Sequence, residues 1–531
     1  MERRPILQNK VYLYLTEFFS GMAVMAVELG ASRLLAPYFS SSQIVWTIII
    51  GTIMIAMALG NLWGGRMADR DADPDRLYHR LLLAAVWIAA IPVVGRYVIL
   101  GISGVLILSV STHFLTLAAF CACMVLFVFP LFLLGTVTPS LVKYTVDSLD
   151  EGGRTVGRLG ACNTVGSILG TFLPTFVTIP AVGTAVTFLL FSGVLLALAL
   201  VYFLSGRRDR RRSVVALVLF AVCTVTGSGG SFAFWETGLA YEGESVYNYL
   251  QVKETDRSVV LATNVVFGVQ SVLRKDGDLT GMYYDYALAA PVMAGKAAPR
   301  VLILGNGTGT FARQCTRYFP GSVVEGVEID QKITGLAHEY FELPESVAVT
   351  TYDGRAYLQA VDETYDVIMV DAYQDITIPF QLSSVEFFGL VRDHLAPGGA
   401  VVVNLNMGSD GAGSINEALC DTIAAVFPDV WSVVVPGSSN REVFAVRDGD
   451  AAAALTAGRA ALVLPQELDA LLDRAEERLT AYVPQGAALT DDHAPVEVLG
   501  MRAIDGLIGE EMQYYRDIYR EQGLRGLLDT F

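Results

Sequence analysis

In the second half of the chain, apolar runs end repeatedly on glycine or on a carboxylate. Arg300-Val301-Leu302-Ile303-Leu304 leads straight into Gly305-Asn306-Gly307-Thr308-Gly309, and the run that starts at Val323 closes on Glu328. Glycines at a strand-to-helix turn let the backbone bend tightly and approach a ligand with no Cβ in the way. An acidic residue about 20 positions further on is placed to accept both hydrogen bonds of a ribose diol. Asp353-Gly354 follows a third run, where the side chain can accept from an adenine amino group. Asp371 closes Tyr365-Asp366-Val367-Ile368-Met369-Val370. Open parallel sheets bind ligands at the carboxyl ends of their strands. The glycine loop, Glu328, Asp353 and Asp371 are therefore expected to share one crevice. Their spacing suits an adenosyl sulfonium better than a dinucleotide, which more often carries G-x-G-x-x-G.

The elements that must position these residues alternate. Strand-like runs at 300–304, 323–328, 347–351, 366–370 and 399–405 are separated by helical stretches, the pattern of a doubly wound α/β sheet. Upstream, 246–253, 258–264 and 266–274 predict a small antiparallel unit, with Asp276-Gly277 as a turn. The Ala-rich segments 450–461 and 465–481 predict peripheral helices, and Phe387 and Phe388 a core position.

The first 231 residues are a different material. The 531-residue chain is 53% hydrophobic and 17% charged, whereas soluble domains carry about a quarter charged residues. Residues 1–231 have a net charge of +6 and the remainder −23. An acidic second half repels nucleic acid, which is excluded as a partner, and suits a domain that handles cations. Apolar stretches at 12–35, 44–64, 81–100, 114–137, 160–181, 184–204 and 214–234 predict a multi-pass membrane domain in a lipid bilayer. Arg66, Arg70, Arg76 and Arg80, then Lys143, Arg154 and Arg158, then Arg207 to Arg212 fall in alternate loops, which the positive-inside rule places in the cytoplasm. The segment 214–234 ends in Gly227-Ser228-Gly229-Gly230. Whether it crosses decides which side the C-terminal half faces; the cofactor chemistry favours the cytoplasm, hydropathy the outside. Glu28 and Arg33 in the first span are either a polar site or an ion pair at the membrane edge. Gly60 with Gly64, and Gly166 with Gly170, have the small-xxx-small spacing of close helix packing. No removable leader is expected. The six cysteines include no C-x-x-C pair, so neither a disulfide framework nor a metal site is expected.

From about 241 to 405, with a tail at 489–497, the chain resembles the membrane-fused form of the spermidine synthase (polyamine aminopropyltransferase) family. The resemblance rests on Glu244-Ser245-Val246-Tyr247-Asn248-Tyr249, on Gly268-Val269-Gln270-Ser271 and on Gly281-Met282-Tyr283-Tyr284-Asp285-Tyr286. The glycine loop, Val327-Glu328-Ile329-Asp330, Tyr352-Asp353-Gly354 and Val370-Asp371 continue it in order. It implies a Rossmann-like (class I methyltransferase-like) domain over 291–531, a small β-hairpin domain over 236–290 and a transmembrane helical domain over 1–235. It implies transfer of an aminopropyl group from decarboxylated S-adenosylmethionine to putrescine or a related amine, with methylthioadenosine as by-product and no metal. Gly305, Gly307, Thr308, Gly309, Glu328, Asp353, Gly354, Gln270 and Asn248 would bind the nucleoside. Asp371, with Asp375, would position or deprotonate the attacking nitrogen, because an ammonium has no lone pair with which to displace a thioether. Tyr284, Asp285, Tyr373, Gln374 and Asp492 would line the amine site, with tyrosine rings facing the cation or packing in the core. Members of that family commonly pair as dimers or tetramers, so the resemblance leaves a homodimer or a tetramer open.

The sequence departs from that family at informative places. Thr308 stands where the family has an aspartate, Gln374 occupies the place of the second aspartate of its D-x-x-D-P gate, and Asn248 replaces a glutamine. Asp285, Asp375, Asp491 or Asp492 would have to substitute, the last two within Thr490-Asp491-Asp492-His493-Ala494-Pro495, which either folds over the crevice or is a polar turn. Two other readings stay open. One is a different S-adenosylmethionine-dependent transfer, such as methylation; the other is a transporter or sensor that only binds a nucleoside or polyamine.

Overall fold

The computed structural model describes residues 5–39, 42–71, 73–109, 113–145, 149–206, 209–229, 231–236, 238–265, 269–372, 378–408 and 411–528. The chain divides into two compact units: Met1–Glu236 with Gly243–Tyr249 and Ile518–Phe531, and Thr237–Glu242 with Leu250–Asp517. The small antiparallel sheet falls largely inside the second unit.

The first unit is helical. Its main helices are Lys10–Phe39, Gln43–Arg70, Pro74–Ser109, Phe114–Leu126, Val128–Gly135, Val137–Thr145, Leu149–Leu173, Ile179–Ser205 and Arg210–Gly227. Five segments among the described residues are long and apolar enough to cross a membrane: Lys10–Phe39, Gln43–Arg70, Pro74–Ile107, Val128–Thr145 and Gly152–Ser205. Arg210–Gly227 is not among them. The small residues are used for close approach: a Cβ on Gly166 would sit 2.0 Å from the Phe18 carbonyl oxygen, and one on Gly170 2.1 Å from that of Met22. Polar ties bind the helix Lys10–Phe39 to several partners. Glu17, fully buried, accepts from Thr138 Oγ1 (2.6 Å) and Asn163 Nδ2 (2.9 Å). Arg33 donates to the Val246 carbonyl.

The second unit begins with a four-stranded sheet in chain order: β1 (Leu239–Glu244), β2 (Tyr249–Glu254), β3 (Ser258–Ala262) and β4 (Ser271–Arg274). The strands are shorter than the sequence predicts, because the turns that separate them take residues from the apolar runs.

An eight-stranded sheet comes next, made of β5 (Arg300–Leu304), β6 (Val323–Glu328), β7 (Ala348–Thr351), β8 (Tyr365–Val370), β9 (Leu395–Leu405), β10 (Val430–Val434), β11 (Arg441–Val446) and β12 (Thr480–Ala481). Its order is β12-β10-β11-β9-β8-β5-β6-β7. Strands β7, β6, β5, β8 and β9 are parallel, and β11 is inserted antiparallel between β9 and β10. This is the Rossmann-like, methyltransferase-like arrangement. The strand order reverses direction at β5, and such a switch point, at the carboxyl ends of β5 and β8, is where open α/β sheets bind ligands. Central β8 is covered on both faces and buried at every residue, whereas the edge strand β7 is largely exposed. Phe387 and Phe388 are fully buried in the helical layer.

Candidate active site

The glycine loop leaves β5 under a steric constraint that only glycine meets. Gly305 has φ 86°, and a Cβ there would lie 2.4 Å from the Asp371 carbonyl oxygen. The close approach lets the Asp371 N–H donate to Leu304 O (2.8 Å), which holds the first residue after β8 against the last of β5. Gly305 and Asn306 both donate to Val327 O, at 2.9 and 3.0 Å, so the loop is fastened to β6 as well. From the other side Ser271, at the start of β4, accepts from the Thr308 N–H (3.3 Å).

Glu328, at the end of β6, accepts from the N–H groups of Gly307 (2.9 Å) and Asp330 (3.0 Å). Burial pushes its carboxyl above the ordinary range, against those backbone bonds. Each oxygen keeps a lone pair beyond its backbone bond, enough to receive two hydroxyls. Asp353 caps the helix Gly354–Ala360 by accepting from the Ala356 N–H (2.9 Å), at the end of β7. The carboxylates foreseen in the sequence thus stand at the ends of adjacent parallel strands.

Asp371 is the centre of a second network. Its Oδ2 accepts from the Tyr283 hydroxyl (2.8 Å) and its Oδ1 from Asn404 Nδ2 (2.8 Å). Asn404 is itself oriented, because its Oδ1 accepts from Asn440 Nδ2 (2.8 Å). Burial raises the Asp371 carboxyl to about 7; the Asn404 and Tyr283 bonds pull it down and the charge of Glu328 pushes it up. A carboxylate poised near neutrality is suited to proton transfer. Tyr284 lies beside Tyr283, with ring centroids 3.9 Å apart and the rings tilted by 35°, and donates to the Gln270 carbonyl (2.5 Å).

Glu442 of β11 completes this edge. It is fully buried, neither carboxyl oxygen has a hydrogen-bond partner among the described residues, and burial followed by the charge of Asp371 raises its carboxyl well above the ordinary range. Sequence reasoning singles out neither Asn404, Asn440 nor Glu442. Asn404 carried a readable signal, a lone amide inside Val401-Val402-Val403-Asn404-Leu405. Glu442 reads as an ordinary outward-facing residue until its strand partners are known.

Other expected residues fall elsewhere. Asp285 is a turn-holding group rather than an amine contact. It accepts from the Thr280 N–H and hydroxyl (2.9 and 3.0 Å), the Gly281 N–H (2.6 Å) and Gln314 Nε2 (2.7 Å), and is 2% exposed. Asp492 is exposed in a tight turn closed by Thr490 and His493. Its neighbour Asp491 makes the contact instead, with Arg355 at 2.7 and 2.6 Å and Ser384 at 2.5 Å, and the arginine holds it below the ordinary carboxylate range. Asn248 donates its N–H to Ser245 Oγ (2.8 Å) within the turn before β2. Tyr373, Gln374 and Asp375 lie outside the described residues.

A spermine/spermidine synthase domain matches residues 282–435. A probable polyamine aminopropyl transferase of Bifidobacterium longum is 52% identical over 348 residues, which cover 62% of this chain and 78% of that protein. The chain belongs to the polyamine aminopropyltransferase family. A second aminopropyltransferase, from Streptomyces coelicolor, is 32% identical over 51% of this chain and 53% of its own length. Among solved structures, a probable spermidine synthase from Corynebacterium glutamicum overlaps 48% of this chain and 98% of its own, at 20% identity and a TM-score of 0.35. The groups described above at the carboxyl ends of β5, β6, β7 and β8 are the candidates for this chain's site.

Proposed function

We propose that this aminopropyltransferase takes decarboxylated S-adenosylmethionine as donor and putrescine or a similar diamine as acceptor, and works while anchored in a bilayer by its apolar helices. The observation that carries the reading is the placement of Asp371 between Tyr283 and Asn404, joined through its own N–H to the strand that bears the glycine loop.

Glu328 would hold the ribose diol and Asp353 the adenine amino group. Thr308 Oγ1 and Asn306 Oδ1 are buried in the loop with no partner among the described residues, as expected of a surface that a polar ligand completes. The acceptor arrives as an ammonium and must lose a proton. Asp371 takes that proton, Tyr283 and Asn404 hold the carboxyl in place, and the freed nitrogen lone pair attacks the carbon bonded to sulfur. The new C–N bond forms as the C–S bond breaks, its electron pair going to sulfur to give neutral methylthioadenosine. Asp371 then returns its proton to water.

The same reading puts the second unit on the cytoplasmic face. Arg210–Gly227 opens with three arginines, and the 15 residues that remain would span only about 22 Å against a hydrocarbon core of about 30 Å. A helix that does not cross leaves the second unit on the side of the arginine cluster. The test of the chemistry is mass spectrometry of the full chain in detergent micelles with decarboxylated S-adenosylmethionine and a panel of amines. Equal amounts of methylthioadenosine and an aminopropylated amine are expected. Transfer of a methyl group from S-adenosylmethionine, with no aminopropyl product, would overturn the reading.

A further inference from the structure

The carboxyl edge of the sheet orders its polar groups in a row. Val370 of β8 is level with Val403 of β9, so the next residues, Asp371 and Asn404, come side by side, and their side chains are bonded at 2.8 Å. Asn404 in turn faces Glu442 across the antiparallel β9–β11 ladder. Directly opposed residues of such a pair project to the same face. Passing across the sheet from β5, the order is glycine loop, Asp371, Asn404, Glu442.

Within that row Asn404 is committed. Asn440 donates to its oxygen, which turns its amino group toward Asp371. Glu442 is left with two oxygens, no donor among the described residues and no exposure. A carboxyl that serves the fold is bonded to it; one left unpaired in the interior costs several kcal/mol. Two carboxyls in one desolvated space also oppose each other's ionisation, a conflict that a ligand with two positive charges removes.

We propose that Glu442 receives the distal ammonium of a diamine whose reacting nitrogen lies at Asp371. The assignment rests on the aminopropyl-transfer reading and adds to it the residue that selects diamines over monoamines. Two ladder steps separate the strand positions, about 10 Å, the scale of a short alkyl diamine with a charge-assisted hydrogen bond at each end.

The experiment compares full-length wild type with Glu442→Gln in detergent micelles, using 1,4-diaminobutane as acceptor. The variant is expected to raise the acceptor KM about tenfold or more, the worth of a lost charge-assisted bond, with kcat and methylthioadenosine affinity within about threefold. Its Tm is expected to rise, because the cost of holding a buried carboxyl protonated, which the unfolded chain does not bear, is gone. Unchanged acceptor KM overturns the inference, as does a joint fall of Tm and methylthioadenosine affinity, which marks a structural glutamate. Wild type alone gives a second measure: 1-aminobutane is expected to compete with the diamine at least about tenfold more weakly than 1,5-diaminopentane, and equal inhibition overturns the inference. If wild type aminopropylates no amine at all, it is the functional reading that fails; if it turns over the diamine and Glu442→Gln keeps its KM, only the role of Glu442 does.

Discussion

Asp371 works only if it can both take a proton from an ammonium and give it up to water, and its surroundings set that balance. Desolvation raises its carboxyl to about 7, and its two donors keep it from rising further. The groups facing it are Tyr283, Tyr284, Glu442 and Glu328. The base form gains as pH rises, so kcat/KM is expected to climb about tenfold per pH unit below about 7 and then level off; an acid limb near pH 4 would contradict the assignment. The stability sign is opposite. Asp371 holds its proton up to about 7 in the fold but releases it near 3.9 in the unfolded chain, so the empty enzyme is expected to lose Tm as pH rises across that window. Asp371→Asn should abolish turnover while methylthioadenosine affinity, read by titration calorimetry, stays within about threefold, because the amide keeps the shape and loses the base. At this scale the sequence shows Asp371, Glu328 and Asp353 clearly, since each ends an apolar run. Glu442 was hidden because its meaning comes from a strand partner 38 positions away in the chain, Asn404.

The elements matter through how closely they approach. β5 and β8 are tied just past their ends by backbone, where the Asp371 N–H reaches Leu304 O over a glycine. Gly305→Ala would place a methyl 2.4 Å from the Asp371 carbonyl oxygen in a backbone conformation with φ 86°. The loop and the base would both have to move. The expected result is a loss of about 2 kcal/mol or more in unfolding free energy together with loss of turnover, measured by denaturant unfolding and product formation on one preparation. A variant with wild-type stability would show that the loop is not braced as described. The five parallel strands were readable to within a few residues as apolar runs, whereas β10, β11 and β12 were not read, and β12 lies at the end of a segment expected to be helical. The order in which the strands pair was not readable, since the antiparallel insertion of β11 between β9 and β10 depends on long-range packing that local pattern does not encode. Asp285 misled for a related reason: its acidic side chain beside three tyrosines looks like a cation site, but its own turn and Gln314 supply the donors it takes.

Across the whole molecule, residues 1–231 carry a net +6 and the residues beyond them −23, so the chain has two parts of opposite charge. Basic loops favour the cytoplasmic side of a bilayer. An acidic unit attracts cations, and the proposed amine acceptor is one. On the sidedness proposed above, the second unit lies in the cytoplasm, where the short helix Arg210–Gly227 would leave it. Val463 is fully exposed on the second unit, so Val463→Cys gives a reporter of sidedness with little effect on the fold. In intact cells a membrane-impermeant maleimide is expected to leave that cysteine unmodified, and to label it once the membrane is opened. The anchoring itself is read on the same cells: the full chain should stay with the membranes after alkaline carbonate and enter solution with detergent. Labelling of Val463→Cys in intact cells would mean that Arg210–Gly227 crosses despite its arginines, and that the amine reaches the enzyme from outside. Release by carbonate would mean that the apolar helices bury their surface against protein rather than lipid. Each failure sinks a separate step, the first the sidedness and the second the anchor, and neither touches the chemistry assigned to Asp371.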